Sequence, residues 1–289
     1  MPTSGRSTAP SSTWSRKTFR LTGEISNDLI LDLELMALAL ATGIMDATTF
    51  SDYHVFVSNQ TGNTALLAVG ALGIGGSDVK LPNVGVSLGV FIAGGFVLGQ
   101  IGNALGPRRR LWLIATNLFQ TVLVGVATAL RWRYATADGT PGALGVLALL
   151  AFASGGQIAV ARKVNVPEIT TAMVTSAYID LIIDSRLIDQ HNRPRNRRFF
   201  FICMLLLGSF IGAIADSFYG PELALLLSAV CKLGITMAFL TNAEASYIGK
   251  PARENKCEGL SILAENCLPG PVDTERLSMK LRSVNSAPP

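Results

Sequence analysis

The chain has 289 residues, of which 49% are apolar and only 15% charged, with a net charge of +4. Soluble domains carry about 25% charged residues, so the composition excludes a soluble enzyme, a disordered chain and a disulfide-stapled scaffold. Residues 1–29 and 244–289 hold 10 Lys+Arg and 8 Asp+Glu, whereas the 214 residues between them hold 14 and 12, mostly in short clusters. Long uncharged runs separate those clusters, which predicts an all-α, polytopic membrane protein whose first partner is the lipid bilayer. Basic loops at a membrane face account for the positive charge without a nucleic-acid partner.

Cysteine and histidine usage narrows the chemistry. The four cysteines are Cys203, Cys231, Cys257 and Cys267, no CxxC pair occurs, and the histidines are His54 and His191. Ligand spacing for zinc or haem is absent, so no metal and no cofactor are expected. No clustered nucleophile and base point to an intramembrane enzyme.

In chain order, residues 1–29 form a Ser/Thr/Arg-rich tail with Arg6, Arg16, Lys17 and Arg20 ahead of Glu24. No apolar region precedes residue 30, which argues against a cleavable secretory signal; a basic cytosolic tail and a transit peptide share this composition. Eight apolar segments follow, at about 31–50, 58–76, 83–106, 111–130, 142–161, 168–184, 199–217 and 222–243. A crossing helix needs about 20 mostly apolar residues. The second and sixth segments fall short: their continuous apolar parts run only from Ala65 to Ile74 and from Ala172 to Ile183, the second interrupted by Asp180. That length fits re-entrant or interfacial helices. Residues 244–289, with five prolines, read as a disordered cytosolic tail.

The segments repeat. Gly106-Pro107 matches Gly220-Pro221, Thr61 matches Thr175, and the Gly95/Gly99 pair recurs as Gly208/Gly212, all at offsets of 113 or 114. The same long–short–long–long pattern frames each set, giving a first membrane repeat over 30–135 and a second over 140–243. If all eight segments cross with the N-terminus inside, the inner loops carry 8 Lys+Arg and the outer loops 5. If the two short segments dip and return, the inner loops carry 10 and the outer loops 3. The positive-inside rule favours the second arrangement, with six crossing helices and both termini cytosolic. Three crossings per half is odd, so the second half is inverted, the plan of many secondary transporters.

The strings GIMDATTFSDYHVFVSNQTGNTALLA (43–68) and SGGQIAVARKVNVPEITTAMVTSA (154–177) carry a further signal. Together they resemble the YoaK-type family, membrane proteins of bacteria and fungi built around a domain of unknown function. The run DATTFSDYHVFVSNQTGNT looks like the fungal branch. The resemblance covers about residues 33–243 and implies about six membrane helices and no defined substrate. The chain departs from the family pattern at Ile158, where Asn is common, and at Thr175-Ser176, where Thr-Gly is frequent.

Candidate site residues follow from the polar groups. Asn59, Thr61, Asn63 and Thr64 crowd the start of the second segment, and Gly62 lets another backbone approach. Thr171 and Thr175 offer a poorer counterpart at the start of the sixth segment, and Gln157 lies on the fifth. A helix beginning at such a cluster aims free N–H groups and its positive end at whatever lies ahead. The same residues serve equally well as caps and interhelical hydrogen bonds. Asp46, Lys232 and Arg162 are candidates for a coupling or counter-charge role. Lys232 sits about 15 Å into the eighth segment by helical rise, where an unpaired charge is costly, and Asp46 is its first candidate partner. Asp180 and Asp184 share a face at i,i+4 spacing and suit a polar interface. The glycine pairs Gly95/Gly99, Gly102/Gly106 and Gly208/Gly212 predict close helix packing and offer faces for a homo-oligomer. These features predict a transporter or permease for a small polar or anionic solute, with its site between the starts of segments two and six. The alternative is a non-transporting membrane scaffold or accessory protein.

Overall fold

The computed structural model describes residues 29–76, 79–134, 140–189 and 191–240. The two tails, with Cys257 and Cys267, lie outside the described residues. Eight helices and no strand occur among the described residues: α1 (Leu29–Tyr53), α2 (Gln60–Ala71), α3 (Leu81–Leu105), α4 (Arg110–Arg133), α5 (Pro141–Val164), α6 (Val174–Ile182), α7 (Arg193–Tyr219) and α8 (Pro221–Ala238). All eight expected segments are helical. Five of them, α3, α4, α5, α7 and α8, are long and apolar enough to cross a membrane. α1 is as long as α3 but carries Asp32, Glu34 and Asp46. α2 and α6, with 12 and 9 residues, extend only about 18 and 14 Å at a rise of about 1.5 Å per residue. A hydrocarbon core is about 30 Å thick, so neither crosses it as a helix.

Burial is inverted relative to a soluble domain. Ile92, Phe96 and Ile101 of α3, Phe210, Ile214 and Phe218 of α7, and Val230 and Met237 of α8 point outward, while Asn117, Gln120, Gln157, Ser228 and Lys232 are buried. Apolar outer faces on that scale suit a lipid environment and would drive aggregation in water. The centre belongs to α1 and α5: 15 of the 25 residues of α1 are buried, against 4 of the 27 in α7.

Packing pairs helices that are distant in sequence. α1 packs chiefly on α7, and α3 on α5; α4 contacts α5 and α8, and α8 contacts α1. Side-chain contacts fix the directions. Asp32 near the start of α1 binds Arg193 and Arg197 near the start of α7, and Gly212 further along α7 lies on Ile44, so α1 and α7 run parallel. Ser228 donates to Ala41 O and the Cys231 thiol to Ala37 O, so α8 opposes α1. Arg131, at the end of α4, reaches Glu222 at the start of α8 (3.3 Å), so α4 opposes α8. Phe119 meets Phe152, while Thr116 and Gln120 share a void with Gln157 and Val164, so α5 opposes α4. The crossings of α1 with α7 and of α3 with α5 are backbone to backbone. A Cβ on Gly43 would fall on Leu205 O, and one on Gly155 on Phe91 O. A Cβ on Gly208 would fall on Leu40 O, and one on Gly94 on Phe152 O. Gly95 and Gly99 face Gly155 and Ala159, so the close packing expected of these glycines is met within the chain.

The helix corners follow the sequence signals. Gly106 and Gly220 hold φ of 97° and 93° at the α3–α4 and α7–α8 corners, a region that glycine enters at little cost. α7 begins six residues before the expected segment and takes in Arg193–Arg198. Asn192 caps it by accepting from Arg195 N, and Pro194 fits the first turn, where its missing N–H costs nothing. Arg197 is then paired with Asp32 (2.7 Å) and Glu168 (3.3 Å), and Arg198 with Asp180 (3.8 Å) and Asp184 (3.4 Å). The Arg186 N–H and the Asn192 amide hold the Asp184 carboxyl below its ordinary range.

Candidate functional site

The chain leaves α1 at Tyr53 and returns inward to start α2. Asp46 shapes that return. Its carboxylate accepts from Val57 N (3.0 Å), Ser58 N (2.9 Å) and the Ser58 hydroxyl. Asn63, fully buried, completes the turn: its Oδ1 accepts from Phe56 N (3.1 Å), and its Nδ2 donates to Phe56 O (2.6 Å) and Gln60 Oε1 (2.8 Å). Ser87 of α3 braces the same loop by donating to Phe56 O (2.7 Å). Gly62 leaves room for the Phe56 ring, which stacks on Phe50 at 4.6 Å. Thr64 points away and returns its hydroxyl to Gln60 O. Asp46, Asn63, Gly62 and Thr64 therefore build the start of α2 and take no part in the cavity wall. Hydrogen bonds to a charged group are worth about 1.5–3 kcal/mol each. Asp46→Ala is expected to cost about 3 kcal/mol or more in stability and to loosen the start of α2. Detergent melting, with thiol reactivity of Thr61→Cys in the Asp46→Ala background, checks it; unchanged values for both would remove Asp46 from this role.

The start of α6 is built differently. α5 ends in a left-handed Asn165 (φ 66°), and Thr171 is left-handed again (φ 63°), so the helix begins at Val174, later than the threonines suggest. Thr170 donates to Met173 O (2.8 Å). Thr171 is fully buried, and its hydroxyl makes no hydrogen bond in the protein. Arg162, exposed at the end of α5, contacts Met173 Sδ and does not line the cavity.

These two starts share one cavity. It measures about 390 Å³ and is walled by Ser58, Asn59, Gln60 and Thr61 on one side, by Ala172–Ser176 on the other, and by Phe91 and Ile158. Thr61 and Thr175, the matched pair of the sequence repeat, are both in its wall. Neither helix carries a side-chain cap. Gln60 N donates to Ser58 O (3.0 Å), while the N–H groups of Thr61, Gly62 and the first turn of α6 keep their donor capacity, and both positive ends bear on one space. Ser176, Gln60 and Ser58 were not foreseen as wall residues. Ser176 was legible as the neighbour of Thr175 on a helix start.

Lys232 is fully buried, as its depth predicts, but Asp46 is not its partner. Asp46 is spent on the 57–58 turn. The Lys232 Nζ donates instead to Gln157 Oε1 (2.6 Å) and Gln120 Oε1 (3.2 Å). Each amide is oriented by a threonine: Gln157 Nε2 donates to Thr42 (2.8 Å), and Gln120 Nε2 to Thr116 (3.3 Å). Asn117 donates to Thr236 (2.7 Å) and to Lys232 O (3.1 Å). Gln157 is therefore a partner of Lys232, and only its neighbour Ile158 reaches the cavity. Opposite charge in the sequence suggested Asp46; the geometry chose neutral oxygens.

Apolar outer faces, a polar interior, and two short helices opening on one shared cavity define a multi-pass helical membrane protein. Within that class, the family described as "Protein of unknown function (DUF1275)" matches residues 35–238, and the chain belongs to it. Comparison with curated proteins and with solved structures gives no match.

Proposed function

We propose that the protein is a non-enzymatic permease for a small polar or anionic solute, bound between the starts of α2 and α6. The observation that carries this reading is the shared cavity, into which two uncapped helix starts from different parts of the chain present Thr61 and Thr175. Two positive ends around one space repel unless something electron-rich lies between them. Among the described residues, the side chains of Asn59, Thr61, Thr175 and Ser176 make no hydrogen bond and are available to a solute. The donors suit an anion or a hydrogen-bond acceptor.

The proposal includes two inverted repeats of three crossing helices each. Support comes from the matched contacts. Gly43 on Leu205 becomes Gly155 on Phe91 when α1 is shifted by 112 residues and α7 by −114. Gly208 on Leu40 likewise becomes Gly94 on Phe152. The helix directions agree, since α1, α4 and α7 run one way and α3, α5 and α8 the other. We further propose that both termini are cytosolic and that the chain belongs to the YoaK-type group within the family, in its fungal branch. External labelling of a cysteine at position 109 in intact cells tests the orientation: no labelling is expected, and strong labelling overturns it.

Flux into proteoliposomes of radiolabelled formate, acetate, chloride and nitrate tests the function. Flux above empty liposomes that falls at least tenfold in Thr61→Val/Thr175→Val supports it. No flux of any of the four anions, or equal flux in the double variant, returns the protein to the scaffold reading.

A further inference from the structure

Resting on the reading of the cavity as an anion site, we infer that Lys232 is the residue on which a proton enters the protein together with the solute. Lys232 is 0% exposed, in the middle of α8, and has no carboxylate within ion-pairing distance. The acids of α1 nearest in register are Glu34, one turn before Leu38, and Asp46, one turn after Thr42; neither pairs with it. α4 faces it with Asn117 and Gln120, and α5 with Gln157. α7 lends Phe201, Met204 and Leu205 to the apolar cluster around Cys231 and Ile235, and its Cys203 stands outside that cluster. The nearest titratable group is Cys231, whose thiol donates to Ala37 O. An ammonium there is held by oriented dipoles alone, and its net charge is uncompensated.

The cavity supplies what is missing. Gln157 binds Lys232, and the next residue, Ile158, is part of the cavity wall, so one turn of α5 touches both, on faces about 100° apart. A monovalent anion between the starts of α2 and α6 is the counter-charge that the amides do not provide. Beyond Gln120 and Gln157 lies a void of about 20 Å³, lined further by Thr116, Asn117, Val164 and Phe239, with room for about one water. It lies on the side where α5 and α8 end, so a water held there stands between Nζ and that face, with Leu35, Leu113, Val164 and Phe239 closing it outward. In the step itself, a proton from water adds to the Nζ lone pair, hydroxide stays in the medium, and no other bond changes. Release of the anion reverses the step. Gln120 and Gln157 act as positioning residues, with their oxygens turned to Nζ by Thr116 and Thr42.

The test uses the full chain in detergent, almost unbuffered near neutral pH with phenol red as reporter, titrated with sodium formate, acetate, chloride and nitrate. Calorimetry of the same additions reports anion binding separately. Wild type is expected to take up about one proton per anion bound. Lys232→Met is expected to take up none. Lys232→Arg, whose guanidinium keeps its charge, is expected to bind the anion without proton uptake and covers the case in which Lys232→Met fails to fold. Anion binding by wild type without proton uptake overturns the inference and leaves the anion site standing. Uptake equal to wild type in either variant also overturns it. No binding heat with any of the four anions removes the anion site, and this inference with it.

Discussion

At a pH low enough to keep Lys232 protonated without the anion, Gln157→Leu is expected to destabilise the protein more than Lys232→Met does, although the lysine is then the charged residue. The leucine removes the shorter of the two contacts to Nζ and the donor to Thr42, whose hydroxyl keeps its bond to Leu38 O, while the buried amine remains. Breaking a buried charged interaction from one side costs about 3–5 kcal/mol, because the remaining charge is left without compensation. Lys232→Met removes the charge itself and replaces it with a flexible apolar chain of similar length. Its cost is then the loss of two acceptor contacts, about 1–3 kcal/mol. The double variant Gln157→Leu/Lys232→Met should therefore be more stable than Gln157→Leu alone. SDS-titrated unfolding of the three variants, monitored by tryptophan fluorescence, provides the measurement. If Lys232→Met proved the worst of the three, Lys232 would be an ordinary strut, and the reasoning from an uncompensated charge would fail.

The second large effect concerns α5. Gly155→Leu is expected to abolish the folded, monodisperse protein. Its Cβ would land on the backbone oxygen of Phe91 and crowd the Gly95 nitrogen, and neither atom can rotate away as a side-chain tip would. Relief requires α3 and α5 to separate along the whole crossing, which forfeits the contacts of both helices. Overpacking commonly costs about 1–3 kcal/mol, and more where only backbone can yield. Gly145→Ala is the control on the same helix: nothing lies within 4 Å of its Cβ, and the exchange is expected to stabilise by about 0.4–1 kcal/mol. Size-exclusion profiles of green-fluorescent fusions distinguish the two. A normal profile for Gly155→Leu would show that the α3–α5 crossing is looser than its geometry.

Much of the architecture was legible because a bilayer imposes simple rules. Uncharged runs of the right length gave the long helices, and the shortfall around Ala65–Ile74 and Ala172–Ile183 marked α2 and α6. The close crossings were legible because they admit only small residues, so the glycines at Gly95 and Gly208 marked them. The start of α7 was not, because Arg193–Arg198 looks like a loop until Asp32 and Glu168 are known to lie opposite. The site was half legible. Thr61 and Thr175 were found by register, whereas Asn63 and Thr64 share the composition of the motif and face inward or backward. No one-dimensional pattern tells a polar group that lines a space from one that shapes a turn. Lys232 showed its depth but not its partners, since glutamine amides on α4 and α5 carry no charge signature.

The pairing of α1 with α7, and of α3 with α5, also bears on how the chain is made. During synthesis α1 leaves the translocation machinery long before its main partner exists, and its glycine face with Leu40 and Ile44 meets only lipid until Gly208 and Gly212 arrive. The same delay holds α3 open until Gly155 is inserted. A product ending near residue 135 would keep the α2–α3 contacts but lack the main partners of α1, α3 and α4, exposing to quality control surfaces that the finished protein hides. Assembly is therefore a late event, triggered by the last third of the chain.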